Sequence, residues 1–164
     1  MSYFFNFAKK AYIKGERPDG CILCLIRDED PNVEDLVVYR GTDVYAVVNL
    51  YPYNPGHIMI CPNRHVEDIR DLSEAEEGEM QHVLRLVLDG LDRTHQPHAY
   101  NIGFNMGSVA GASIAHLHQH VIPRYPREIG VADLIAGKRV LVEDPRETHR
   151  RLKATLNGLS DAGR

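Results

Sequence analysis

Apolar residues recur along the chain at two spacings. Leu36-Val37-Val38-Tyr39-Arg40 and Val44-Tyr45-Ala46-Val47-Val48-Asn49 are β-branched and aromatic runs separated by Gly41-Thr42-Asp43, which predicts a hairpin. His57-Ile58-Met59-Ile60-Cys61-Pro62 reads as a third strand ended by its proline, and His98–Asn105 as a fourth. The fifth covers residues 116–124, where Val121 and Ile122 favour a strand and Pro123 fits its end. Between strands three and four the spacing lengthens to that of a helix. Met80, Leu84, Val87, Leu88 and Leu91 form one stripe, and Ser73 with Glu76 forms a capping box, so a helix is expected over 74–93. Gly78 and Gly90 weaken it slightly. Asp144, Pro145 and Glu147 start a last helix that Leu152, Leu156 and Leu159 dock. Residues 2–13 give a faint amphipathic signal through Tyr3, Phe4, Phe7, Ala8 and Tyr12.

Composition narrows the class. The 164 residues fit one domain, or one domain with a tail, and 43% hydrophobic with 26% charged residues is ordinary for a globular chain. A net charge of −4 with dispersed basic residues gives no electrostatic reason to bind nucleic acid. No apolar run reaches the ~18 residues of a membrane helix. The first ten residues carry their charges after the apolar part, the reverse of a signal peptide, so a cytoplasmic location is expected. Of three cysteines, Cys21 and Cys24 form a Cys-x-x-Cys, which argues for metal or redox chemistry over a disulfide framework. A redox unit wants a following helix, and Arg27-Asp28-Glu29-Asp30-Pro31 does not look like one.

The chemistry concentrates in His116-Leu117-His118-Gln119-His120. In an extended chain, imidazoles at i, i+2 and i+4 share one face while Leu117, Gln119 and Val121 point to the other. Imidazole serves as nucleophile, acid, base or metal ligand, and three in a row make poor core material. Immediately before them lies Gly107-Ser108-Val109-Ala110-Gly111-Ala112-Ser113, small residues whose glycines let backbone N–H groups approach an anion. It is no P-loop, because no Gly-Lys-Ser/Thr follows. Pro55-Gly56 fits the centre of a type II turn.

His116-Leu117-His118-Gln119-His120-Val121-Ile122 resembles the histidine-triad signature, with Gln119 at a usually apolar position. Tyr45–Asn49 with Asn54–Pro62 resembles that family's nucleotide-binding hairpin, and Asn105-Met106-Gly107-Ser108 with Gly111 and Ser113 its phosphate loop. The likeness covers roughly residues 36–124, with Cys21 and Cys24 ahead of it. It is strongest to the fragile-histidine-triad and diadenosine polyphosphate hydrolase–phosphorylase branch. It implies an α+β fold: a mainly antiparallel five-stranded sheet with a long helix packed on it, followed here by the C-terminal helix. It divides the chain into an N-terminal segment (1–20), the triad domain (21–124) and an extension (125–164), and it implies a homodimer.

For activity, the resemblance implies a nucleotidyl hydrolase or transferase acting at the α-phosphate of dinucleoside polyphosphates through a covalent histidine intermediate. His118 takes the nucleophile's place. His120 assists the leaving group and binds phosphate oxygens. Asn105, Gly107, Ser108, Gly111 and Ser113 supply further donors, and Asn49 binds the ribose. Ile22 and Leu23 are candidates for the wall of the base pocket, and Arg124 for a donor on the leaving side. Cys21, Cys24, His65 and His116 match a closed Cys2His2 zinc site of structural type. Water is expected slightly ahead of inorganic phosphate as acceptor; a phosphorylase, an adenylate-conjugate phosphoramidase and a non-catalytic nucleotide-binding module are the alternatives. Cys61 is expected in the core. His57, His82, His95, His98 and His149 receive no role, with His82 and His95 expected in solvent.

Overall fold

A computed structural model describes residues 19–126 and 143–162 of the chain. The helix expected over 2–13 lies outside them. Three helices and five strands follow in the order α1 (Ile22–Arg27), β1 (Val37–Arg40), β2 (Val44–Val48), β3 (Ile58–Pro62), α2 (Glu74–Thr94), β4 (Ala99–Phe104), β5 (Gln119–Arg124) and α3 (Pro145–Ala162). One sheet runs β1-β2-β3-β5-β4, and every neighbouring pair is antiparallel. The α+β architecture expected from the sequence is therefore the one observed.

The β1–β2 turn is closed by the Gly41 N–H donating to the Val44 carbonyl (2.8 Å). The Glu79 carboxylate of α2 accepts from the backbone N–H groups of Thr42, Asp43 and Val44 (3.0, 2.5 and 3.0 Å) and so holds the turn against the helix. Strands β2 and β3 are buried along their whole length. The capping box is formed: the Glu76 N–H donates to Ser73 Oγ (3.2 Å) and the Ser73 N–H to the Glu76 carboxylate (2.8 Å). Arg64, just past β3, donates to the same buried carboxylate (2.7 Å). That bond ties the end of β3 to the start of α2.

Helix α3 packs on α2 and on β1. Gly90 makes that contact close, since a Cβ there would lie 2.7 Å from Leu152 Cδ1 and 2.8 Å from Leu156 Cδ2. Leu152 and Leu156 join the same buried cluster as Val83, Val87, Leu91, Tyr45 and Ile60. Asp144 caps α3 by accepting from the Arg146 N–H (2.8 Å). His95 differs from expectation. Its side chain is 2% exposed, because it bridges α2 and the approach to α3 through Glu143 (2.9 Å).

The chain also departs from expectation at two places near the site. Ile22–Arg27 is helical, with Cys21 at the N-cap, where the sequence pattern predicted no element. Strand β5 begins at Gln119 and not at His116. The ladder register pairs Ile60 with Gln119, so Leu117 would meet Pro62, which has no N–H to offer. The Leu117 N–H donates instead to the Val66 carbonyl (2.6 Å), and residues 116–118 run beside the sheet without joining it.

Candidate functional site

At the junction of α1, the segment after β3 and the approach to β5, four side chains converge. One ligand atom from each of Cys21, Cys24, His65 and His116 lies within 4.8 Å of the others. His116 Nδ1 is 3.4 Å from Cys21 Sγ and 3.5 Å from Cys24 Sγ, and His65 Nδ1 is 3.3 Å from Cys24 Sγ. Tetrahedral zinc with ordinary Zn–S and Zn–N bonds would set sulfur and nitrogen about 3.5 Å apart. The other ring nitrogen of His116 is held as a metal-bound histidine requires, Nε2–H donating to the Pro62 carbonyl (3.0 Å), while His65 Nε2 lies 3.7 Å from the Glu67 carboxylate, beyond hydrogen-bond length. Burial pushes the His116 pKa down to about 4, so its imidazole is neutral. Burial, then the adjacent Cys21, push the Cys24 thiol up to about 11; a cation between them would reverse that balance. The donor set thus fits a structural zinc or a metal of similar preference.

The remaining triad residues face each other. The His118 and His120 rings stand 4.7 Å apart, edge to face. His118 Nδ1–H donates back to the His116 carbonyl (2.7 Å), which leaves the Nε2 lone pair free. No described residue bonds that nitrogen. Burial lowers the His118 pKa, the His116 carbonyl opposes that shift, and the result favours neutral imidazole.

His120 is oriented by a residue given no role from sequence. The Tyr53 N–H donates to His57 Nδ1 (3.1 Å), so the His57 proton resides on Nε2 and is donated to His120 Nδ1 (2.9 Å). The proton of His120 is thereby assigned to Nε2, as a donor. The Asn105 amide lies 3.5 Å from that atom and fits it with its oxygen turned inward. His57 is fully buried, with a pKa pushed down to about 3 by burial and then by His120 and His118. His57 lies two residues before Met59, the ladder partner of His120, so strand alternation puts its side chain on the face that His120 occupies.

The glycine loop carries a 3-10 turn at Ser108–Ala110 between Gly107 (φ +80°) and Gly111 (φ +92°), both in conformations that favour glycine. Its own carbonyls take the N–H groups of Ala110, Gly111 and Ala112. The N–H groups of Ser108, Val109 and Ser113 and both serine hydroxyls have no partner among the described residues. A cleft of about 250 Å³ is lined by Asn105, Gly107, Ser108 and Ser113 together with Glu67 and His116.

Of the other sequence candidates, Asn49 stays beside the histidines: it accepts from the Tyr51 N–H (2.9 Å) and sets its amide nitrogen 3.3 Å from His57 Nδ1. Leu23 is fully buried in the hydrophobic core and has no surface to offer a base; this corrects the expectation that it walls a pocket. Arg124, at the far end of β5, bonds the Asn101 side chain (2.6 Å). Cys61 is a core residue, and burial pushes its thiol pKa up.

A buried pair of neutral imidazoles, one with a free nitrogen and one presenting an N–H, stands beside a small-residue loop, an arrangement able to offer a nucleophile and a proton donor to an anionic group. Comparison with known proteins gives the family. The model of the HIT (histidine-triad) domain matches residues 30–127, and the chain belongs to that family. It is 38% identical over 157 residues to a protein of Mycobacterium tuberculosis named AP-4-A phosphorylase, covering 93% of this chain and 80% of that one. It is 36% identical over 107 residues to the bis(5'-adenosyl)-triphosphatase of Saccharomyces cerevisiae, covering 65% of this chain and 52% of that one. Among solved structures, a Zn-bound histidine triad family protein from Mycobacterium smegmatis shares the fold with a TM-score of 0.69, at 24% identity over 87% of this chain and 97% of that one.

Proposed function

We propose that the chain is an enzyme acting on dinucleoside polyphosphates, with diadenosine tetraphosphate as a good substrate, through a nucleotidyl–His118 intermediate. The observation that carries this reading is the His118 Nδ1–H bond to the His116 carbonyl (2.7 Å), which aims an unprotonated Nε2 into the site. That nitrogen forms a bond to the α-phosphorus. The bond from phosphorus to the bridging oxygen breaks, and its electron pair leaves with the rest of the polyphosphate. His120 Nε2–H donates to the oxygen that gains charge. A second nucleophile then attacks phosphorus from the position the leaving group vacated, giving its proton to the His120 Nε2 that had protonated the leaving oxygen; the N–P bond breaks, and its pair returns to His118 Nε2. Asn105, Ser108 and Ser113, with the backbone held by Gly107 and Gly111, are the proposed donors to the phosphate oxygens. Asn49 is the proposed ribose contact.

Water as acceptor yields a nucleoside monophosphate; inorganic phosphate yields a diphosphate. The match to the M. tuberculosis AP-4-A phosphorylase spans nearly the whole chain and favours phosphate as the second reading. Product analysis with diadenosine tetraphosphate decides between them. AMP formation unaffected by millimolar phosphate marks the hydrolase; ADP that appears only with phosphate marks the phosphorylase. Turnover of neither this substrate nor diadenosine triphosphate would refute the substrate class.

Cys21, Cys24, His65 and His116 are the proposed ligands of a structural zinc, which when bound supplies a cross-link and holds α1 to the start of the triad segment. A homodimer is proposed through β4, an outer strand largely exposed on both faces with Ile102 43% exposed. Sedimentation should give twice the chain mass, and a monomer at micromolar concentration would oppose it. No helix among the described residues is long and apolar enough to cross a membrane, and a cytoplasmic location is proposed.

A further inference from the structure

The Tyr53 ring stands beside the histidine pair, and the chemistry above gives it no part. The residue is 50% exposed, yet its ring is stacked. It lies on the His57 ring at 5.2 Å with only 17° between the planes, and its backbone N–H is the donor to His57 Nδ1 (3.1 Å). Its centroid is 6.3 Å from that of His120. Its hydroxyl has no partner among the described residues.

Holding the loop does not require this ring. Buried Asn54 does that by donating to the Pro123 carbonyl (2.7 Å), and Gly56 does it by turning at φ +80° against Leu91 and Pro123. What remains is a rigid aromatic plane, covered on one face by His57 and open on the other, at the edge of the reacting centre. Rigid aromatic faces with few rotatable bonds bind planar rings with little loss of entropy, and base-on-aromatic stacking is tolerant of base identity.

We infer that the open face of Tyr53 is a stacking platform for a purine ring of the nucleotide substrate, which makes Tyr53 a base-binding residue. This rests on the nucleotide reading above. The ring comes from one of two sources, the nucleoside retained on His118 or the nucleoside that leaves.

The chain has no tryptophan, so Tyr53→Trp places the sole indole at this position. In a His118→Ala background that leaves the ligand intact, saturating diadenosine tetraphosphate should quench its emission, and ribose 5-phosphate should not. Quenching by AMP as well assigns the retained nucleoside; quenching by the dinucleotide alone assigns the leaving one. Calorimetry on the same sample separates the two layers of the argument. Nucleotide binding without any change in emission overturns the platform and leaves the nucleotide reading standing. Absence of nucleotide binding refutes the reading beneath it. Kinetics give a second arm in the wild-type background. Tyr53→Ala should lower kcat/KM for diadenosine tetraphosphate roughly tenfold through KM, while Tyr53→Phe keeps it. An equal loss on a base-free ribose 5-phosphoramidate, or a shifted pH profile, would show a prop for His57 only and would overturn the inference.

Discussion

The tautomers of His118 and His120 are fixed from two ends: a carbonyl that only accepts sets the first, and a backbone N–H that only donates, relayed through His57, sets the second. His57→Ala removes the relay and frees the His120 ring. We expect kcat to fall about 10- to 100-fold with nucleotide affinity little changed, the usual consequence of losing an orienting partner. Stopped assays beside equilibrium binding check this; an unaltered kcat would remove His57 from the account. The same burial sets a pH dependence. His57 and His120 have folded pKa values near 3 and 4, below the ordinary 6.5. Below pH 6.5 the unfolded chain takes up protons that the folded chain refuses, so stability present at neutral pH drains away as pH falls towards 4. Urea melts from pH 7.5 to 4.5 should show a falling midpoint, and His57→Ala should flatten the slope. A midpoint independent of pH would contradict the buried neutral pair.

At the scale of elements, most of the fold was legible because each device is local. The capping box at Ser73 and Glu76, the proline ending β3, the Gly41–Asp43 turn and the Asp144-Pro145 start of α3 act within a few residues, and each element stands where the pattern put it. What stayed hidden depends on partners far along the chain. The true start of β5 is set by Pro62, more than fifty residues earlier, and the burial of His95 by Glu143. Gly90 read as a weak point of α2, whereas its missing side chain is what admits α3. Two alanines separate these meanings. Gly78 has nothing within 4 Å of a would-be Cβ, so Gly78→Ala should stabilise by about 0.5–1 kcal/mol through helix propensity. Gly90→Ala gains the same propensity but drives a methyl into Leu152 and Leu156, and should destabilise by about 1–3 kcal/mol. Equal effects in denaturant melts would mean the α2–α3 contact is looser than described.

For the whole molecule, the histidine pair and the candidate metal centre share one short segment, His116 facing the cysteines while its carbonyl orients His118. The residue types of this arrangement were readable from the histidine and cysteine spacings, and the convergence of His65 with them came from the resemblance. The tautomers were not readable, because they depend on carbonyls and loop N–H groups that only the fold brings near. About one zinc per chain is expected, with a lower melting temperature after chelation or in Cys21→Ser with Cys24→Ser, at a smaller loss of chemical rate. Metal-free protein of unchanged stability would contradict the metal reading. The central claim is covalent attack by His118, and trapping the intermediate tests it most directly. Enzyme mixed with diadenosine tetraphosphate labelled at the α-phosphate, and quenched in alkali within the first turnover, should carry label as an acid-labile phosphoramidate that maps by peptide mass to His118 and is absent from His118→Ala. Full turnover with no such adduct, or substantial turnover by His118→Ala, would contradict it.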